Sequence, residues 1–141
     1  MKKLILASTL LFLTACQASV SGQVKDAPET TVGTLSAGLE RDEHDQIKNS
    51  ALVFKPSDRH IVFNAQIENV KGEVPVVAFW KFGDDKNYFT SYSVTASPNL
   101  DLAKFELNKE SDWPVGQYMM VVKVGDETNG DARALQFEIK E

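Results

Sequence analysis

Ile61-Val62-Phe63-Asn64-Ala65-Gln66-Ile67-Glu68 puts Ile61, Phe63, Ala65 and Ile67 on one side of an extended chain. Val62, Asn64, Gln66 and Glu68 fall on the other. A period of two is the pattern of a half-buried strand, because successive side chains point to opposite faces of a sheet. The same period recurs on both sides of this stretch. Upstream, Gly33, Leu35, Ala37 and Leu39 alternate with Thr34, Ser36 and Gly38, so the former set is expected to face inward. Downstream, strands are expected from Val74 to Phe82, Tyr88 to Val94, Leu100 to Leu107, Gln117 to Gly125 and Ala132 to Lys140. In the last of these, Leu135, Phe137 and Ile139 are the inward residues. Turn chemistry separates the strands at Gly83-Asp84-Asp85, Ser97-Pro98-Asn99 and Asn129-Gly130. No helical periodicity of useful length competes with this pattern.

About seven short strands with regularly spaced turn signals predict an all-β fold, an antiparallel sandwich. Four local features carry a more specific resemblance. Trp80 lies in the third strand, and Trp113-Pro114-Val115-Gly116-Gln117-Tyr118 leads into the sixth. Phe54-Lys55-Pro56-Ser57-Asp58 precedes the second strand, and Phe137-Glu138-Ile139 closes the last. In these respects residues 31–141 resemble bacterial immunoglobulin-like and fibronectin-type modules. The resemblance implies Trp80 as a core residue and Tyr118 as a tyrosine corner, and it says almost nothing about function. The inter-sheet disulfide of antibody domains has no counterpart, because the chain holds one cysteine.

That cysteine, Cys16, closes Leu13-Thr14-Ala15-Cys16. Lys2 and Lys3 precede it as a basic start, and Leu4 to Leu13 form an apolar run interrupted by Ser8 and Thr9. The run is too short to span a bilayer as a helix, which needs about 20 residues, and suits a cleaved export signal. The segment resembles the lipobox of bacterial lipoproteins. That resemblance implies a signal peptide over residues 1–15 and acylation of Cys16, with the lipid bilayer as the first partner. Each buried methylene contributes about 0.8 kcal/mol, so several acyl chains anchor a protein stably where one does not. Gln17 after the cysteine, in place of an aspartate, favours the outer membrane of the cell envelope by the same resemblance. Residues 16–30 are polar and small and contain Gly22 and Pro28, the composition of a flexible tether spanning about 20 Å.

The remaining 31–141 make one domain. Loss of Lys2 and Lys3 with the signal reduces the 15 basic groups to 13, against 20 acidic ones. An acidic surface repels the phosphates of nucleic acid and anionic lipid headgroups, so neither is an expected partner. With Cys16 lipidated, no thiol is left for redox chemistry or thiolate metal binding.

Catalytic, metal and cofactor signatures are weak. His44 sits in the charged run Glu40-Arg41-Asp42-Glu43-His44-Asp45, and His60 opens a strand on its outward side. Both suit solvated surface better than a closed metal shell. Asp126-Glu127-Thr128-Asn129-Gly130-Asp131 lacks the ligand spacing of a calcium loop and fits a hairpin turn. Ser57 lies near His60 with no third group to orient a base, and no Gly-x-Ser-x-Gly elbow occurs. No catalytic residue, metal ligand or cofactor is therefore expected.

One pattern departs from a simple sandwich. If Val76, Ala78, Trp80 and Phe82 face the core, Val77 and Phe79 point away from it. If Tyr118, Met120, Val122 and Val124 face in, Met119 and Val121 point out. In an immunoglobulin-like sandwich these strands are neighbours. The four side chains would then form one apolar patch, with Tyr88 or Tyr92 extending it. Exposed contiguous apolar surface tends to mark a binding face. The expected role is a membrane-anchored, non-catalytic protein-interaction module in the bacterial cell envelope. A structural or assembly accessory of a secretion or adhesion machine is a second possibility. A periplasmic hydrolase inhibitor presenting the acidic loop Glu40 to Asp45 is a third.

Overall fold

A computed structural model describes residues 29–125 and 130–141. The signal segment 1–15, Cys16 and nearly all of the tether lie outside the described residues, as does the tip of the loop at 126–129.

Among the described residues, ten strands form three sheets. They are β1 (Thr31–Gly38), β2 (Glu40–Arg41), β3 (Ile47–Lys48), β4 (Val53–Phe54), β5 (His60–Glu68), β6 (Val74–Phe82), β7 (Thr90–Ala96), β8 (Leu102–Asn108), β9 (Gly116–Val124) and β10 (Asp131–Ile139). A three-stranded sheet β1-β5-β8 faces a five-stranded sheet β4-β10-β9-β6-β7, and β2 and β3 make a small hairpin outside them. All pairs are antiparallel except the two-residue pairing of β4 with β10. This is the all-β sandwich that the period-two pattern predicted. Seven long strands match the expected ones, and the three two-residue strands carry too little sequence to show a period.

The core lies between the two large sheets. Ile61, Phe63, Ala65 and Ile67 from β5 meet Val76, Ala78 and Trp80 from β6 and Met120, Val122 and Val124 from β9. Trp80 is fully buried, with the rings of Phe63, Tyr92 and Phe105 at 5.5, 5.9 and 6.0 Å. Its indole N–H has no hydrogen-bond partner. Tyr118 stacks on Phe137 at 5.3 Å, and its hydroxyl donates to the Pro114 carbonyl at 2.7 Å, the geometry of a tyrosine corner. Burial holds its phenol above the ordinary pKa.

Three sequence expectations change. In β1 the register shifts between Val32 and Leu35, so Val32 and Ala37, of opposite parity, are both buried. A bulge inserts one residue and resets the alternation. Leu39, expected inward, lies just past the end of the strand at Gly38 and is 46% exposed. Second, β5 is buried on both faces: Val62 and Asn64 are each only 3% exposed. The cause is the β2–β3 hairpin, which folds back over the outer face of this sheet. Arg41 donates to the Asn64 side chain at 2.7 Å and to the carbonyls of Phe63 and Phe105 at 2.8 and 3.0 Å. Asn64 in turn donates to the Asp45 carbonyl at 2.8 Å. Third, Leu100 lies in the turn before β8, which begins at Leu102, and is 71% exposed.

The two ends of the sandwich differ. Thr31, Glu68, Ala96, Leu102 and Asp131 mark the near pole, where the chain enters the domain. His60, Phe82, Thr90, Asn108 and Gly116 mark the far pole. The nine residues of β5 run between them, about 26 Å at the rise of a β-strand.

Candidate functional site: an apolar sheet face and an aromatic cleft

β6 and β9 are paired neighbours, so the outward side chains of the two strands lie on one face of the sheet. Phe79 lies directly across from Val121, Val77 across from Lys123 and Lys81 across from Met119. Val77, Phe79, Met119 and Val121 are each half-buried. The strip is thus apolar at its centre and interleaved with two lysines. Lys123 Nζ lies 5.6 Å from the Phe79 ring centre, a cation–π contact that covers part of the strip. Its flanks are small and polar. Ser91 and Ser93 of β7 neighbour Phe79 and Val77, while Ala134 and Gln136 of β10 neighbour Val121 and Met119.

The two tyrosines separate. Tyr88 packs against Phe79 with ring centres 5.0 Å apart and extends the strip. Tyr92 does not, because it lies across from the buried Ala78 and so projects from the other face of the sheet. Its ring packs edge-on against Trp80, and it is still 50% exposed, because β7 is the last strand of its sheet. Alternation along β7 separates Tyr92 from the outer strip; its being an edge strand brings the ring into a different site.

That site is a cleft of about 400 Å³ at the far pole. It opens between β7 and β8, the adjacent edges of the two sheets. The strands are joined at the near pole by the turn Ser97–Leu100, and the cleft occupies the opposite end of the gap. Phe82, Phe89, Tyr92, Trp113 and Tyr118 supply aromatic walls, and Leu107 and Lys109 line the β8 side. Phe82 can lie in this floor because Gly116 has no side chain: a Cβ there would come within 2.8 Å of the Phe82 ring. Trp113 is fixed by its indole N–H, which donates to the Asp58 carbonyl at 2.7 Å. Lys109 Nζ sits 5.9 Å from the Trp113 ring centre and is the one charged side chain of the lining among the described residues. The sequence shows no period for this cleft. Phe89, Trp113 and Pro114 come from connecting segments; Phe89 falls just before β7, although the expected strand begins at Tyr88.

The remaining candidates resolve into structural roles. The Asp42 carboxylate accepts from the backbone N–H groups of His44 and Gln46 at 2.8 and 3.0 Å, closing the hairpin turn. These bonds hold its carboxyl below the ordinary aspartate pKa. Lys48 pairs with Glu40 at 3.2 Å and Lys104 with Asp45 at 3.1 Å. Three of the loop's four carboxylates thus contact other groups of the domain while the loop stays at the surface. His60 shares a hydrogen bond with Asn108 on the outer face. Asp131, at the end of the supposed calcium loop, accepts from the Val32 backbone at 2.9 Å and ties β10 to β1. Among the described residues, no group of three or more His, Cys, Asp or Glu side chains converges on a point. No helix among them is long and apolar enough to cross a membrane. No protein-family model matches this chain, and no curated protein matches it either.

Proposed function

We propose that the chain is a lipid-anchored, non-catalytic interaction module of the bacterial envelope, tethered through Cys16 and related in fold to immunoglobulin-like domains. The observation that carries the binding role is the outer strip of β6 and β9. There Val77, Phe79, Met119 and Val121 occupy a sheet face that alternation would ordinarily fill with polar residues. Core packing does not require them, because the inward residues of the same strands already fill the space between the sheets. The fold relationship is supported by the strand order, the buried Trp80 and the Tyr118–Pro114 hydrogen bond. The anchor is supported by the order of basic start, apolar run and Leu13-Thr14-Ala15-Cys16.

The test is a photo-crosslinking amino acid placed at Val121 in intact cells, with and without the substitutions Phe79→Ser and Met119→Ser. A discrete crosslinked partner that disappears in the double variant, while its melting temperature stays within a few degrees of the parent, is the expected result. Membrane fractionation of Cys16→Ser should move the protein out of the membrane pellet. A double variant that folds and keeps every crosslink removes the strip as an interface.

A further inference from the structure

Four strand edges border the two large sheets, and three of them are blunted against further pairing. The β1 edge carries a bulge at Val32/Leu35, β4 is only two residues long, and β8 carries Lys104 and Glu106. These are recognised devices for keeping a sheet from adding strands. The β7 edge has none of them. Thr90-Ser91-Tyr92-Ser93-Val94-Thr95-Ala96 is seven residues long, uncharged, free of proline and regular in its register with β6. Among the described residues nothing pairs with its open side.

The direction of its free groups follows from its neighbours. The Gly125 N–H donates to the Pro75 carbonyl, so the odd-numbered backbone groups of β6 turn toward β9 and the even-numbered ones toward β7. Ala78 pairs with Tyr92 and Val76 with Val94, so the even residues of β7 bond to β6. The N–H and C=O groups of Ser91, Ser93 and Thr95 then point to the open side. Ser97, continuing that phase, turns its N–H away from β6 to the Leu100 carbonyl. Beside this row of free groups lies the aromatic cleft, on the core-facing side of β7.

From this juxtaposition we infer that β7 accepts an extended peptide segment of a partner protein as an additional strand, with large apolar side chains seated in the Tyr92–Trp113 cleft. Backbone bonds to Ser91, Ser93 and Thr95 hold the segment, and the inward side chains of the added strand nearest Thr90 and Tyr92 enter the cleft. Lys109, the sole charged group of the lining among the described residues, selects a segment carrying a carboxylate next to its apolar anchor. A second copy of this chain fits that preference poorly. Its β7 has no acidic residue, and two chains of net charge −5 repel one another. The chain's own tether enters at the opposite pole. The site is separate from the Phe79 strip, so either assignment can fail without the other.

The experiment selects phage-displayed random linear peptides against the full-length chain in detergent. It then measures affinity and amide hydrogen exchange with the enriched peptides. The expected peptides alternate large apolar residues with small or polar ones, include an acidic residue, and slow exchange at Ser91, Ser93 and Thr95. Ser93→Pro removes one outward N–H without touching the β6 ladder and should weaken binding about tenfold or more, whereas Ser93→Ala should not. Lys109→Glu should abolish the preference for acidic peptides. If Ser93→Pro disturbs folding, peptides N-methylated at alternate positions carry the same test from the other side. The inference is overturned by the absence of any enriched sequence or by binding indifferent to both Ser93→Pro and N-methylation. It is equally overturned by a footprint on Phe79 and Val121, which would leave the outer-strip reading standing. Self-association that protects β7 would replace the peptide by a second copy.

Discussion

Replacing Arg41 with alanine should be among the costliest single changes outside the apolar core. Its side chain is 13% exposed and makes three hydrogen bonds, to Asn64 Oδ1 at 2.7 Å and to the carbonyls of Phe63 and Phe105 at 2.8 and 3.0 Å. Burial draws its pKa down from the usual guanidinium value, opposed by the charges of Glu106 and Asp45. Hydrogen bonds to a charged group each contribute about 1.5–3 kcal/mol, but the three share one side chain and the two carbonyls belong to paired strands, so they do not sum. The ion pair with Glu106, at 3.6 Å and half-exposed, adds less than about 1 kcal/mol. What truncation leaves behind is a buried Asn64 oxygen without its donor, a penalty of about 1–3 kcal/mol. Together these place Arg41→Ala at about 2–4 kcal/mol, with a melting temperature lower by about 8–16 °C for a domain of this size. Urea unfolding at neutral pH, monitored by tryptophan fluorescence, reads it as a lower midpoint with an unchanged slope. A double-mutant cycle with Asn64→Ala should return a coupling of about 1 kcal/mol or more, because the two changes remove the same bond. A loss below about 0.5 kcal/mol, or strict additivity in the cycle, would refute the view that Arg41 clamps the hairpin to the sheet.

Two further outcomes follow from individual hydrogen-bonded polar groups. Tyr118→Phe keeps the stack on Phe137 and deletes the bond to Pro114. It should cost about 1 kcal/mol in urea unfolding, since the exposed Pro114 carbonyl regains water. Asp42 has its folded pKa depressed by the N–H bonds from Gln46 and His44. Its contribution is therefore present above the unfolded pKa and is lost as pH falls through the folded one. A carbon-detected NMR titration should place its midpoint below the reference of about 3.9, and Asp42→Asn should flatten the acid limb of the stability profile.

The outer strip and the β7 edge present the same molecule with two different kinds of surface. Side-chain area gives a face affinity without fixing the partner's backbone, whereas an open strand edge fixes backbone direction and register. The tether enters at the near pole and the cleft opens at the far one, about 26 Å away along β5.

Local chemistry alone determined the seven long strands, that the fold is all-β, and that Val77 lies on the same side of its strand as Phe79, and Met119 on the same side of its strand as Val121. All of these rest on the period of two, which is a property of neighbours along the chain. The same chemistry marked Leu13-Thr14-Ala15-Cys16 as the anchor candidate. Tertiary structure decided what periodicity cannot carry. The bulge in β1 reset its alternation so that Val32 and Ala37 are both buried, and the β2–β3 hairpin buried the outer face of β5 under Arg41. Most consequentially, the order β4-β10-β9-β6-β7 left β7 on an edge, with its inward Tyr92 beside a cleft walled by Phe89 and Trp113 from separate connecting segments. A site built from residues far apart in the chain has no local signature. It exists only once two sheets have packed and their edges have parted.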